Sequence, residues 1–246
     1  MKATSVLAFL LIGGAARAQQ PAAKPRIAVV IDDFGLTYKK NVPDEKWWAI
    51  PWPYTAAVMP ESPRTKAAGE AAKKAGKEVL IHFPFDPFQK LDLDPNAATE
   101  ADKKSVLKLL DKASKDIPQA VGLNNHRSLR GTQNQPLMRW FMPELKKRGL
   151  FFVDSWVSPK SVAFQEARAA GIPTARNDLF LEDGKKHDKA TCEHLLRAIS
   201  KRARKNGSAV AIGHHYWQGT YDCLTELVPR LQSEGFEFVS VSALTR

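Results

Sequence analysis

Cysteine is scarce: two in 246 residues are too few for a disulfide scaffold. Neither stands in a C-x-x-C or zinc-finger spacing, which removes thioredoxin-like redox chemistry and thiolate zinc sites. Long apolar runs are also missing. The longest near the start, Val6–Leu11, is too short to span a bilayer. There is no G-x-S-x-G elbow for a serine hydrolase, and no nucleic-acid motif accompanies the basic charge. "DDFG" has no Gly-rich phosphate loop or HRD-type loop beside it, which removes a kinase. Internal repeats and low-complexity tracts are absent as well.

What is present begins with an address. "MKATSVLAFLLIGGAARAQQ" has Lys2, a short apolar core and "ARA" before Gln19, the pattern of an export signal cleaved after Ala18. No Cys stands at that point to carry a lipid. Residues 1–18 are thus expected to be a signal peptide, 19–25 a short linker and 26–246 one domain, periplasmic or secreted and without a stable membrane span. Export leaves Cys192 and Cys223 open between a disulfide and two buried thiols. The "CEH" at Cys192–His194, with His187 nearby, reads as helix surface. The net charge of +11 becomes +9 once Lys2 and Arg17 leave with the signal. Such a charge can favour anionic envelope polymers or membrane surfaces, but the Lys and Arg are spread over several helices, which fits solvated faces better, and without a binding motif no nucleic-acid partner is expected.

From residue 26 apolar runs alternate with helical patterns, so the strands should be parallel with crossover helices. Strand-like runs fall at 27–31, 55–59, 78–83, 120–123, 150–153, 209–212 and 236–241, with a weaker one near 174–180. Thr99 and Asp102 form a capping box for a helix over 99–117, and Pro143 is expected to kink or break the helix over 135–149. In parallel α/β folds the chemistry gathers where strands end. Here the strand ends carry Asp32 and Asp33; His82 with Asp86; Asn124, Asn125 and His126; Asp154 and Ser155; His214 and His215. Four of the six His lie in this set. One Asp and two His suit a divalent ion such as zinc with a position left for water, and a second Asp off the ion could take a proton. The competing reading makes Asp32 and Asp33 turn and helix caps.

The ordered set "VVIDDFG", "EVLIHFPFDP", "AVGLNNH", "GLFFVDS" and "AVAIGHH" resembles the divergent polysaccharide deacetylases, over residues 26–246. These are relatives of the metal-dependent carbohydrate esterases that deacetylate chitin and peptidoglycan sugars. The resemblance implies a distorted β/α barrel of about seven parallel strands and one divalent metal, zinc being the usual one. It implies Asp32 as base, Asp33 and His82 as ligands, His214 as general acid, and Asp154 as the acid that holds His214. His126 is the third ligand, with Asp86 as its competitor. Asn124, Asn125, Asp86 and Trp52 are the candidate substrate contacts. The segment "EKWWAIPWPY" offers Trp47, Trp48, Trp52 and Tyr54 either for sugar stacking or, the favoured reading, for packing. The implied activity is removal of N- or O-acetyl groups from an envelope polysaccharide, peptidoglycan or a chitin-like polymer. Where the family has Met-Gly-Ser after "NNH", this chain has Arg127, Ser128 and Leu129. That change favours the rival reading, an inactive carbohydrate-binding or scaffold protein with the same fold.

Overall fold

A computed structural model describes residues 23–37, 42–86 and 97–246. The expected signal peptide and most of the linker lie outside the described residues. The strands are β1 (Arg26–Phe34), β2 (Thr55–Val58), β3 (Glu78–Pro84), β4 (Gly122–His126), β5 (Phe151–Asp154), β6 (Thr174–Arg176), β7 (Leu179–Phe180), β8 (Ser208–His214) and β9 (Glu237–Val239). The helices are α1 (Asp44–Trp48), α2 (Thr65–Lys74), α3 (Glu100–Asp116), α4 (Gln135–Lys147), α5 (Ala163–Ala169), α6 (Lys189–Asn206) and α7 (Gln218–Ser233).

All strand pairings are parallel, in the order β6-β5-β4-β3-β2-β1-β8-β7. β9 joins the N-terminal half of β1, at Arg26–Ala28. The sheet curls into a distorted barrel in one domain. Eight strands form its path, rather than about seven. The weak apolar run near 174–180 accounts for the difference: it splits into β6 and β7, which lie at opposite ends of the path. The two residues between them bridge the seam. Asn177 N–H donates to the Asp154 carbonyl (2.9 Å), and Asp178 N–H donates to the Val210 carbonyl (2.9 Å).

Side-chain alternation along the strands builds two cores. Ala28, Val30, Leu80, Val153, Val210 and Ile212 fill the barrel. Ile27, Val29, Ile31, Ile81, Phe152 and Ala211 face outward, under the helices. The Thr99–Asp102 capping box is formed in both directions (3.1 Å each), which fixes the start of α3. Pro143 does not break α4. Pro143 and Arg139, whose carbonyl lacks its partner four residues on, both lie on the solvent face. Meanwhile Phe141, Met142 and Leu145 are buried and hold the helix in place. Cys192 of α6 and Cys223 of α7 form a disulfide, with Cα atoms 6.1 Å apart.

Candidate metal centre and acid pair

The alternation that builds the barrel also decides which rim residues meet. His82, Asn124, His126 and His214 share the parity of the barrel-filling residues of their strands, so they turn inward above the core. Asp32 follows Ala28 and Val30 inward, but Asp33 should then point out. A bulge corrects it. Between Ile31 and Phe34, β1 spends one residue more than β2, whose partners are Ala56 and Val58. Asp33 sits in that bulge with φ of 72°, a left-handed conformation that costs a residue other than glycine about 1 kcal/mol or more. Both carboxylates therefore serve one side, and both are 2% exposed.

Asp33 Oδ1, His82 Nε2 and His126 Nδ1 converge. The separations are 3.3 Å from Asp33 to His82, 3.0 Å from Asp33 to His126 and 2.9 Å between the two rings. Ligands bound to one zinc-sized ion at about 2.0–2.2 Å stand roughly 3 Å apart, so the donor set fits such an ion. Among the described residues this is the one group of three His, Cys, Asp or Glu side chains that converges in this way. The tautomer of His82 agrees. The Asn124 amide donates to Asp32 Oδ1 (2.9 Å) and to Ser155 Oγ (3.2 Å), so its carbonyl oxygen faces His82 Nδ1 (3.0 Å). That oxygen only accepts, hence Nδ1 carries the proton and Nε2 keeps its lone pair for a cation.

The electrostatics separate the two carboxylates. Burial raises the Asp33 carboxyl, but contact with His126 and His82 outweighs it and holds the group well below the usual range. For Asp32 burial dominates over the charges of His82 and His214, and the carboxyl ends above its ordinary value.

Across the cleft His214 Nδ1 lies 3.0 Å from Glu182 Oε2. Glu182 Oε1 accepts from His214 N–H (3.0 Å) and from the Thr220 hydroxyl (2.6 Å), so the carboxylate is fixed by three contacts. Burial lowers the His214 pKa, but hydrogen bonding and attraction to Glu182 overcome it and push it up to about 9. The cleft between the two groups has a volume of about 320 Å³ and is also lined by Phe180, Tyr216 and Trp217.

Asp154 does not hold His214. It has the parity of Phe152 and points outward, where its carboxylate accepts from Ser161 Oγ (2.7 Å), Trp156 N–H (2.8 Å) and Phe164 N–H (3.2 Å). Glu182, which the sequence reading missed, occupies that place. His215 likewise turns into the outer core beside Phe34, and burial lowers its pKa to about 4. Asp86 is no ligand: its carboxylate accepts from Gly131 N–H (2.7 Å) and anchors the loop after β4. Asn124 is fully buried, so it orients Asp32 and His82 rather than touching substrate. Asn125 lines the cleft and accepts from Ser155 N–H (2.9 Å). Trp52 packs on Tyr54 and on Phe238 of β9, at the end of the barrel away from the rim. The packing reading of the aromatic segment therefore holds for Trp52. It holds for Trp47 as well, whose indole donates to the His215 carbonyl (2.9 Å). His187 stacks on Trp217 at 3.4 Å and is not part of the converging metal-ligand group.

Fold and site together define a parallel β/α barrel with a carboxylate and two imidazoles converging at its mouth. The chain belongs to the divergent polysaccharide deacetylase family, whose pattern matches residues 29–245. It is 33% identical to an uncharacterized protein of Haemophilus influenzae over 199 residues, which are 78% of this chain and 67% of that protein. It is 33% identical to the uncharacterized protein YibQ of Escherichia coli over 195 residues, 79% of this chain and 60% of that one. An uncharacterized protein of Agrobacterium tumefaciens superposes with a TM-score of 0.76 at 24% identity, covering 93% and 92% of the two chains. The catalytic domain of a peptidoglycan N-acetylglucosamine deacetylase from Eubacterium rectale gives 0.53 at 12% identity, covering 89% and 90%. A Bacillus anthracis protein described as a CE4 family pseudoenzyme gives 0.55 at 12% identity, covering 90% and 65%.

Proposed function

We propose that this chain is an exported, metal-dependent hydrolase that removes acetyl groups from an envelope polysaccharide, peptidoglycan or a chitin-like polymer. The observation that carries the reading is the convergence of Asp33, His82 and His126 beside a second carboxylate, with a charged imidazole across the cleft. Asp33, His82 and His126 would hold the ion, zinc being the natural choice for one carboxylate and two imidazoles. When bound it would polarise the acyl carbonyl and lower the pKa of water. Asp32 would take the proton from the attacking water. Asn124 fixes its direction. His214 would protonate the departing nitrogen or oxygen, and Glu182 keeps it charged at neutral pH. Its Nδ1 is committed to Glu182, which leaves Nε2 for the leaving group.

The rival reading is a non-catalytic carbohydrate-binding or scaffold protein. It draws on Arg127 at the cleft and on the existence of a pseudoenzyme with the same fold. Paired variants separate the two. Asp33→Asn should lose the metal and the activity, because a neutral amide binds a borderline cation far more weakly. Asp32→Asn should keep the metal and lose about a hundredfold or more in rate. Metal content and acetate release from an N-acetylglucosamine oligomer are the readouts. No turnover by metal-loaded wild type would move the weight to the rival.

A further inference from the structure

The barrel wall has a gap. β6 ends the sheet on one side, and on the other β7 covers β8 only at Ala211 and Ile212. Over Ser208–Val210 the edge of β8 meets no strand across the seam, and Asp178 is what reaches it, through the Val210 backbone. A cavity of about 460 Å³ lies there, larger than the cleft at the metal centre, and no residue lines both. Its apolar side reaches the inner core: Ala175 and Val210 belong to the filling of the barrel, and Leu244 packs against it.

Two cations meet at this cavity over one ring. The Arg168 guanidinium of α5 lies 5.9 Å from the centre of the Phe164 ring. That of Arg176, at the end of β6, lies 5.8 Å from the same ring and 4.3 Å from Trp156. Like charges gathered on one ring repel unless an anion joins them. The acids at hand are committed elsewhere. Asp178 holds the Arg202 guanidinium (2.7 Å) and Val210 N–H (2.9 Å). Asp154 feels the charge of Arg176, but its oxygens accept from Ser161, Trp156 and Phe164. Arg246 also lines the cavity, yet residue 246 ends the sequence, so its carboxylate offsets its side chain and it is not counted. Among the described residues neither Arg168 nor Arg176 stands in an ion pair or donates a side-chain hydrogen bond. A guanidinium stacked on an aromatic face keeps its N–H edge for a phosphate or carboxylate, which it meets with two parallel hydrogen bonds.

We propose that the seam cavity is a binding site for an organic anion, a phosphate or carboxylate joined to an apolar group. Arg168 and Arg176 take the charge, and Ala175, Val210 and Leu244 take the apolar part. The site is separate from the metal centre and does not depend on the deacetylase reading. A lipid headgroup and a free amphiphile share this chemistry.

The test titrates the full chain, as purified, with octyl phosphate, octanoate, octyl glucoside and inorganic phosphate, each below its micelle-forming concentration. Calorimetry gives the affinity, and the NMR signal of the Trp156 indole, which lies under Arg176, gives the place. At least one of the two octyl anions should bind at least tenfold more tightly than octyl glucoside and inorganic phosphate, and should shift the indole signal. Salt should weaken it. Arg168→Gln with Arg176→Gln should weaken it by about tenfold or more, the usual worth of hydrogen bonds to a charged group. The proposal is overturned if neither octyl anion binds, if inorganic phosphate or octyl glucoside binds as tightly, or if the double variant keeps the wild-type affinity. Should the double variant fail to fold, Asn206→Glu places a negative charge at the exposed rim of the same cavity. A comparable loss there sustains the site, and unchanged affinity overturns it. Phosphatidylcholine vesicles with and without phosphatidylglycerol tell the sources apart. Vesicle binding that needs phosphatidylglycerol and both arginines assigns a lipid headgroup, whereas octyl-anion binding without vesicle binding assigns a free anion.

Discussion

Replacing Glu182 by Gln should convert the cleft imidazole from a charged acid to a neutral ring, with an effect that depends on pH. Glu182 Oε2 faces His214 Nδ1 at 3.0 Å, and the His214 pKa stands at about 9 against the ordinary 6.5. At about 1.4 kcal/mol for each pH unit, that gap corresponds to about 3 kcal/mol in favour of the charged ring, the net of burial, which opposes the charge, against Glu182 with help from Asp33 and Asp32. The Gln oxygen can keep the contacts to His214 N–H and Thr220, while its amide donates to Nδ1 and favours the neutral imidazole. With a pKa near the ordinary value, roughly 3% of the variant is protonated at pH 8, against about 90% of the wild type. Acetate release should therefore fall roughly thirtyfold at pH 8 and by less than a factor of two at pH 6. The sign for stability is the same. A raised imidazole pKa adds stability that is complete below about 6.5 and is lost as pH rises through about 9. Pre-steady-state rates from pH 5.5 to 9.5, with NMR titration of the ring, would show the alkaline limb move toward neutrality. An equal loss at pH 6 and pH 8 would refute the reasoning, since it would mean that Glu182 shapes the cleft without setting the charge.

Two further outcomes follow from the supporting contacts. Asn124→Leu removes the acceptor that fixes the His82 tautomer and the donor to Asp32, so metal affinity should fall about 10- to 100-fold, read by competition with a chromogenic chelator. Replacing Cys192 and Cys223 by Ser opens a link across 31 residues, which should cost about 3–4 kcal/mol in denaturant unfolding and leave the metal stoichiometry intact. Two freely alkylating thiols in the folded, oxidised wild type would remove that link altogether.

The barrel was legible because its strands are buried on both faces and stand out as apolar runs, as in Ile27–Ile31 and Val79–Ile81. The triad was legible because strand ends are where such folds keep their chemistry, and the family resemblance singled out Asp33, His82 and His126 among the acids and imidazoles at or near those ends. Glu182 was not, because β7 is two residues long and carries no readable period. Its neighbour in the sheet is β8, reached only after the chain crosses the seam from β6. Asp154 was misjudged for the opposite reason: it ends a clear strand, but its parity with Phe152 aims it at α5. The bulge that turns Asp33 inward has no signature in the residues themselves. It arises from the register between β1 and β2.

The placement of the working groups along the chain has an evolutionary consequence. Everything needed to hold an ion and to accept a proton lies between residues 32 and 126, on β1, β3 and β4. The proposed proton donor, His214, and its carboxylate partner, Glu182, come from the later part of the chain. They join the first group through the pairing of β1 with β8, where Asp32 stands beside His214. On the proposed function, mutations in the later segment would silence turnover while the earlier one keeps its donor set for an ion. A descendant of this fold can drift from enzyme to receptor in one half of its sequence, and retention of metal alone does not certify a catalyst.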